Sequence, residues 1–99
     1  PSPTIGISRY RLDAVRQQLL FAGQTVPLSH RETELLRMLA ERRNDVVETQ
    51  DILLKLWGDD SFFNARSLQV FITKLRHKLA KDDSIRIVNV RGIGYKLLV

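Results

Sequence analysis

Up to residue 28 the apolar positions alternate with polar ones, as in "TIGIS" and "RYRLD", followed by the run "QLLFA", a Gly23-Gln24 turn signal and "TVPL". Period-two alternation broken by turn residues predicts short strands, here a small antiparallel sheet over 4–28. At Leu28 the period changes. "LSHRE" is a capping box, in which Ser29 accepts from the amide of Glu32 and the Glu32 side chain reaches back, so a helix is predicted over 29–43. Leu35, Leu36 and Leu39 give it an apolar face, and Arg42, Arg43 and Asn44 supply cations for the C-terminal dipole and a residue tolerant of a left-handed cap. "DVVE" reads as a short apolar link or single strand. Thr49 is then the expected N-cap of a second helix, 50–57, which turns Ile52, Leu53 and Leu56 inward and stops at Gly58.

A third helix is predicted over 65–81, with Asn64 as its cap. At about 100° per residue, Leu68, Ile72, Leu75 and Leu79 form one buried stripe. Val70 falls nearly opposite, among Arg66, Ser67, Thr73, Lys74 and His77. An aliphatic side chain in that company needs a reason. The chain then runs into "IRIVNVRGIGYKLLV", two β-rich segments over 85–98. Gly92 and Gly94 permit positive φ at the tip of a tight hairpin between them.

Helix, helix, longer basic helix and hairpin, in that order, are the winged helix-turn-helix plan, an α+β fold. In it, two helices brace a third whose outer face fits the major groove of DNA, where phosphates call for cations and thymine methyl groups are read by apolar contact. Val70 would be such a methyl reader. The alternative is that Val70 packs against a neighbouring loop or the wing, or is a scattered surface aliphatic.

Charge sharpens this picture. The net charge of the 99 residues is +5, but residues 1–63 carry −1 and residues 64–99 carry +6. A basic block confined to one segment is the footprint expected of a polyphosphate-binding surface, most often nucleic acid. A membrane-binding basic helix would leave its apolar face open to lipid, whereas here that stripe is needed for the core. The 43% hydrophobic content is ordinary for one globular domain, and Lys55 interrupts the apolar run "ILLKLW" long before it could span a bilayer. Absence of cysteine fits a reducing compartment, here taken as the cytoplasm. "PSPT" at residues 1–4 reads as the tail of a linker, 1–3 being its remnant.

Together, "LSHRETELLRMLAERRNDVVETQDILLKLWG", "RSLQVFITKLRHKL" and "VRGIGYKL" resemble the C-terminal winged-helix effector domain of OmpR/PhoB-type response regulators, over nearly the whole chain. The resemblance implies sequence-specific binding of double-stranded promoter DNA. It also implies a separate N-terminal receiver domain phosphorylated on aspartate, and head-to-tail pairing on direct repeats of a domain that is monomeric alone. Carried over by position, it makes Arg66 a phosphate contact, and Lys74 and Arg76 backbone or base contacts. Arg76 lies near the buried stripe and has an internal ion pair as its alternative. Ser67, Gln69, Val70 and Thr73 fall at or near base-facing positions, Gln69 toward the flank.

On the wing, Asn89, Arg91 and Tyr95 match positions that reach phosphate or, for Arg91, the minor groove. Trp57 matches a tryptophan whose indole donates to phosphate, although a tryptophan ending a helix is commonly core. The chain departs from the family at Gln69, often acidic, and at Phe71, often polar or cationic; Phe71 therefore either fills core space or touches DNA. The 58–63 loop resembles one that contacts RNA polymerase in some members, with at least one of Phe62 and Phe63 expected to plug the core.

An enzyme is the competing class. His30 and His77 lie on different helices without a cysteine partner, an H-E-x-x-H spacing or a carboxylate cluster, and "RGIGYK" lacks the third glycine and following helix of a dinucleotide site. Neither catalysis nor a cofactor is expected. A winged helix that offers its basic face to an acidic protein partner is the third class.

Overall fold

The computed structural model describes residues 4–99, so the expected linker remnant, 1–3, lies outside the described residues. Four strands, β1 (Thr4–Ile7), β2 (Tyr10–Asp13), β3 (Gln18–Phe21) and β4 (Gln24–Pro27), form an antiparallel meander in chain order. The β3–β4 hairpin turns on Ala22 and Gly23, both at positive φ (50° and 79°), as a two-residue loop matching the twist of its strands requires. One face of this sheet buries Ile7, Tyr10, Leu12 and Leu19 against the helices.

Helix α1 (His30–Glu41) starts at the capping box foreseen: Ser29 Oγ accepts from the Glu32 amide at 3.1 Å, and Glu32 Oε1 accepts from the Ser29 amide at 2.8 Å. It ends before the two arginines, which therefore do not form its last turn. Arg43 instead crosses to β1 and donates to the Gly6 carbonyl at 2.6 Å, while Asn44 takes positive φ (67°). Strand β5 (Val46–Glu48) leads directly into α2 (Thr49–Trp57). Thr49 is the first residue of that helix and not its cap; its amide donates to the Ile93 carbonyl at 3.0 Å, so a distant turn satisfies the helix start that a side chain was expected to satisfy. Gly58 closes α2 in the left-handed conformation (φ 84°).

Helix α3 (Phe62–Lys78) begins earlier than its spacing suggested, because Ser61 is the cap and accepts from the Asn64 amide at 3.3 Å. The Asn64 side chain turns back to Asp59 Oδ1 at 2.6 Å. Strands β6 (Arg86–Val90) and β7 (Gly94–Leu98) form the terminal hairpin, and β7 lies between β5 and β6. Of the two hairpin glycines, Gly92 alone has positive φ (78°). Gly94 is there for a different reason: a Cβ on it would sit 2.0 Å from the Val47 carbonyl oxygen of β5.

Two polar ties lock the N-terminal sheet to the far end of α3. Lys78 Nζ donates to Glu32 Oε1 at 2.9 Å and to the Pro27 carbonyl at 3.0 Å. Buried Asp82 accepts from the Arg9 amide at 3.1 Å and from the Ser84 amide and hydroxyl at 3.1 and 2.6 Å. Donors on Ser84 and Ser8 and the Arg9 amide hold the Asp82 carboxyl well below the ordinary carboxylate range. Burial pushes Glu32 up, but the Ser29 amide and the Lys78 ammonium outweigh it and the net shift is downward.

Candidate nucleic-acid interface

Helix α3 turns its two faces as the periodicity requires. Leu68, Ile72, Leu75 and Leu79 are buried, whereas Arg66, Gln69, Val70, Thr73, Lys74 and His77 are exposed and Ser67 is half-buried. Val70 is 54% exposed, so neither wing nor loop covers it. The early start of α3 adds one turn to this face. Phe62 and Phe63 are 70% and 80% exposed, and neither plugs the core as expected, because both lie on the first helical turn away from the buried stripe. With Arg66, Ser67, Gln69, Val70 and Thr73 they line one open, shallow groove. Thr73 donates its hydroxyl to the Gln69 carbonyl at 3.1 Å, which leaves the oxygen of Thr73 as an acceptor facing outward.

Phe71 takes the other option open to it and packs half-buried against the core. Its ring meets Trp57 edge-on, with centroids 5.8 Å apart, and Lys74 Nζ lies 5.0 Å from its centroid. Trp57 is likewise half-buried against the core and carries the Arg31 guanidinium 4.5 Å from its ring centroid. Arg31, Trp57, Phe71 and Lys74 thus form a continuous cation–aromatic–aromatic–cation strip from α1 across α2 to α3. The sequence pattern did not single out Arg31. Its ring partner lies on another helix, and no periodicity within α1 signals that.

The wing stands beside α3. Asn89 and Arg91 are exposed, with Arg91 in the turn between β6 and β7. Tyr95 is not on this surface: it is 5% exposed and belongs to the core, because it shares the inward face of β7 with buried Leu97. Among the described residues Arg76 makes no ion pair. Its Nε and Nη2 both donate to the Ile87 carbonyl, at 3.0 and 2.7 Å, and so brace α3 directly against β6. Among the described residues no helix is long and apolar enough to cross a membrane, and no group of three His, Cys, Asp or Glu side chains could hold a metal ion.

Residues 23–97 match the family described as "Transcriptional regulatory protein, C terminal". The transcriptional regulatory protein RprY of Bacteroides fragilis is 41% identical over 92 residues, which cover 93% of this chain and 39% of RprY. Response regulator SaeR of Staphylococcus aureus is 40% identical over 76 residues, 75% of this chain and 33% of SaeR. The chain thus spans well under half the length of these relatives. Among solved structures, the DNA-binding domain of CpxR from E. coli superposes with a TM-score of 0.85 at 28% identity, covering 98% of this chain and 97% of that one. The DNA-binding domain of Klebsiella pneumoniae RstA, crystallised in complex with the RstA box, superposes with a TM-score of 0.81 at 30% identity over 98% of both chains.

Proposed function

Because the chain belongs to the winged-helix effector domains of OmpR/PhoB-type response regulators, we propose that it binds double-stranded promoter DNA in a sequence-specific manner, with α3 in the major groove and the wing in the minor groove. The observation that carries this reading is the outward face of α3, where Val70 stands uncovered between Arg66 and Lys74. Arg66 and Lys74 meet phosphates; Ser67, Gln69, Val70 and Thr73 face base edges, Gln69 with the donor and acceptor to pair with adenine and Val70 against a thymine methyl. Asn89 contacts backbone, and Arg91, at the tip, enters the minor groove, whose negative potential attracts an arginine. Arg76 fixes the angle between the two reading elements. Trp57 serves as a stacking platform beside the backbone.

In the full-length regulator a receiver domain precedes this one and controls it by phosphorylation, and two copies align head-to-tail on direct repeats. The bacterial cytoplasm is where such a protein works. The loop 58–61 and the first two residues of α3, Phe62 and Phe63, both open to solvent, are in keeping with a contact to RNA polymerase.

Selection of bound duplexes from a random pool tests the reading, followed by titration of affinity against salt. The expected outcome is a single enriched motif and a log–log salt slope of roughly −4 to −7, as about five to eight neutralised phosphates give. A flat salt response with no enriched motif would put a basic face for an acidic protein partner ahead.

A further inference from the structure

The cationic face does not end at α3. Arg31, in the first turn of α1, has its guanidinium 4.5 Å from the Trp57 centroid, and its Nη2 donates to the Leu56 carbonyl at 3.2 Å, one residue before the end of α2. The ring and the carbonyl together restrict where this long side chain can point. A guanidinium carries five N–H donors, so this one bond, the only hydrogen bond it makes among the described residues, leaves most of its donor capacity facing solvent. Its surroundings do not neutralise it either. Lys55 and His30 line the same small cleft, and the one carboxylate there, Glu34, is held by Arg37 at 2.6 Å.

We infer that Arg31 is a phosphate contact on the flank of the recognition helix, pre-positioned by the Trp57 ring so that it grips the same DNA backbone that Lys74 approaches from α3. The inference rests on the reading that α3 enters the major groove. The three steps of the strip, 4.5, 5.8 and 5.0 Å, place the Arg31 guanidinium no farther than about 15 Å from the Lys74 ammonium. Two cations within that distance can meet phosphates of one strand, which follow one another at about 3.4 Å of rise. Phe71 bridges Trp57 to Lys74 and makes the strip continuous. An arginine suits the position better than a lysine for stacking, because its planar, weakly hydrated head lies flat on an aromatic ring.

The salt dependence of binding tests this on a mixed-sequence duplex about 20 base pairs long, which reads phosphate contacts without requiring the target sequence. Arg31→Gln is expected to make the slope shallower by about 0.9, the loss of one phosphate, with an unchanged melting temperature. Arg31→Lys restores the slope, since the charge persists, and Arg16→Gln, in the exposed turn between β2 and β3, leaves it unchanged. If Arg31→Gln keeps the wild-type slope, or Arg31→Lys fails to restore it, Arg31 only braces Trp57 and the inference falls while DNA binding stands. A wild-type slope near zero removes both readings together.

Discussion

Replacing Gly94 by alanine tests how the wing is joined to the body of the domain. An added Cβ would lie 2.0 Å from the Val47 carbonyl oxygen and 2.9 Å from both Glu48 Cα and the Val47 carbonyl carbon. All three are backbone atoms of β5, so no side chain can swing aside. Relief demands that β5 and β7 part by about an ångström, which breaks the Glu48–Gly94 pairing and strains the neighbouring Thr49 amide bond to the Ile93 carbonyl. Overpacking of this kind costs about 1 to 3 kcal/mol, and an obstacle made of backbone belongs at the upper end. For a domain of this size, about 3 kcal/mol lowers the melting temperature by roughly 12 to 24 °C.

Gly92→Ala is the matched control. Its Cβ would meet nothing within 4 Å, and the penalty is only that of an L-residue at φ 78°, about 1 to 2 kcal/mol. Asparagine tolerates that conformation, so Gly92→Asn should recover part of the loss, whereas Gly94→Asn should be no better than Gly94→Ala. Thermal melts by circular dichroism and urea titrations read all four variants. Equal losses at the two glycines, or rescue by asparagine at both, would refute the assignment of one glycine to close approach and the other to backbone conformation.

Val70→Ala should change stability by no more than about 0.5 kcal/mol while weakening discrimination at one base pair by about 1 kcal/mol, whereas buried Ile72→Ala should cost about 2 to 5 kcal/mol of stability. Similar destabilisation by both, in urea unfolding, would mean the two faces of α3 are misassigned. Arg76→Lys loses the paired bonds to the Ile87 carbonyl and should speed hydrogen exchange of the β6 amides, and a wing whose exchange is unaffected would deny Arg76 its bracing role. Asp82 and Glu32 both have folded-state pKa values below their unfolded ones, so the stability they contribute is present at neutral pH and is lost as pH falls through and below about 4. Asp82→Asn should therefore flatten the decline in stability between neutral and acid pH; an unchanged pH profile would show that this carboxylate is not held by its neighbours.

What the sequence disclosed, and what it concealed, follows from how local the deciding interactions are. The Ser29–Glu32 box and the stripe from Leu68 to Leu79 are written within a few residues, and both stand as read. The start of α3 was read at Asn64, whereas the structure caps it at Ser61, also a good capping residue. The Asn64 side chain is turned to Asp59 instead, and Ser61 accepts from the Asn64 amide. Tyr95 was placed on the outer surface by family resemblance, although period-two alternation puts it on the same side of β7 as Leu97, and both are buried. The identities of Thr49, Arg31 and Arg76 could not reveal their partners, which lie on other elements: Ile93, Trp57 and Ile87.

The central place of β7 also governs when the domain can assemble. Strands β5 and β6 each pair with β7 and not with each other, so neither has a ladder partner while residues 94–98 remain inside the ribosome. The meander and the helices can gather earlier, but Leu97 and Tyr95 complete the core only after synthesis has passed them. A transcript that breaks off just short of this strand would yield a chain with intact basic residues on α3 and no closed body to hold them, a product for proteases and not a weakened regulator.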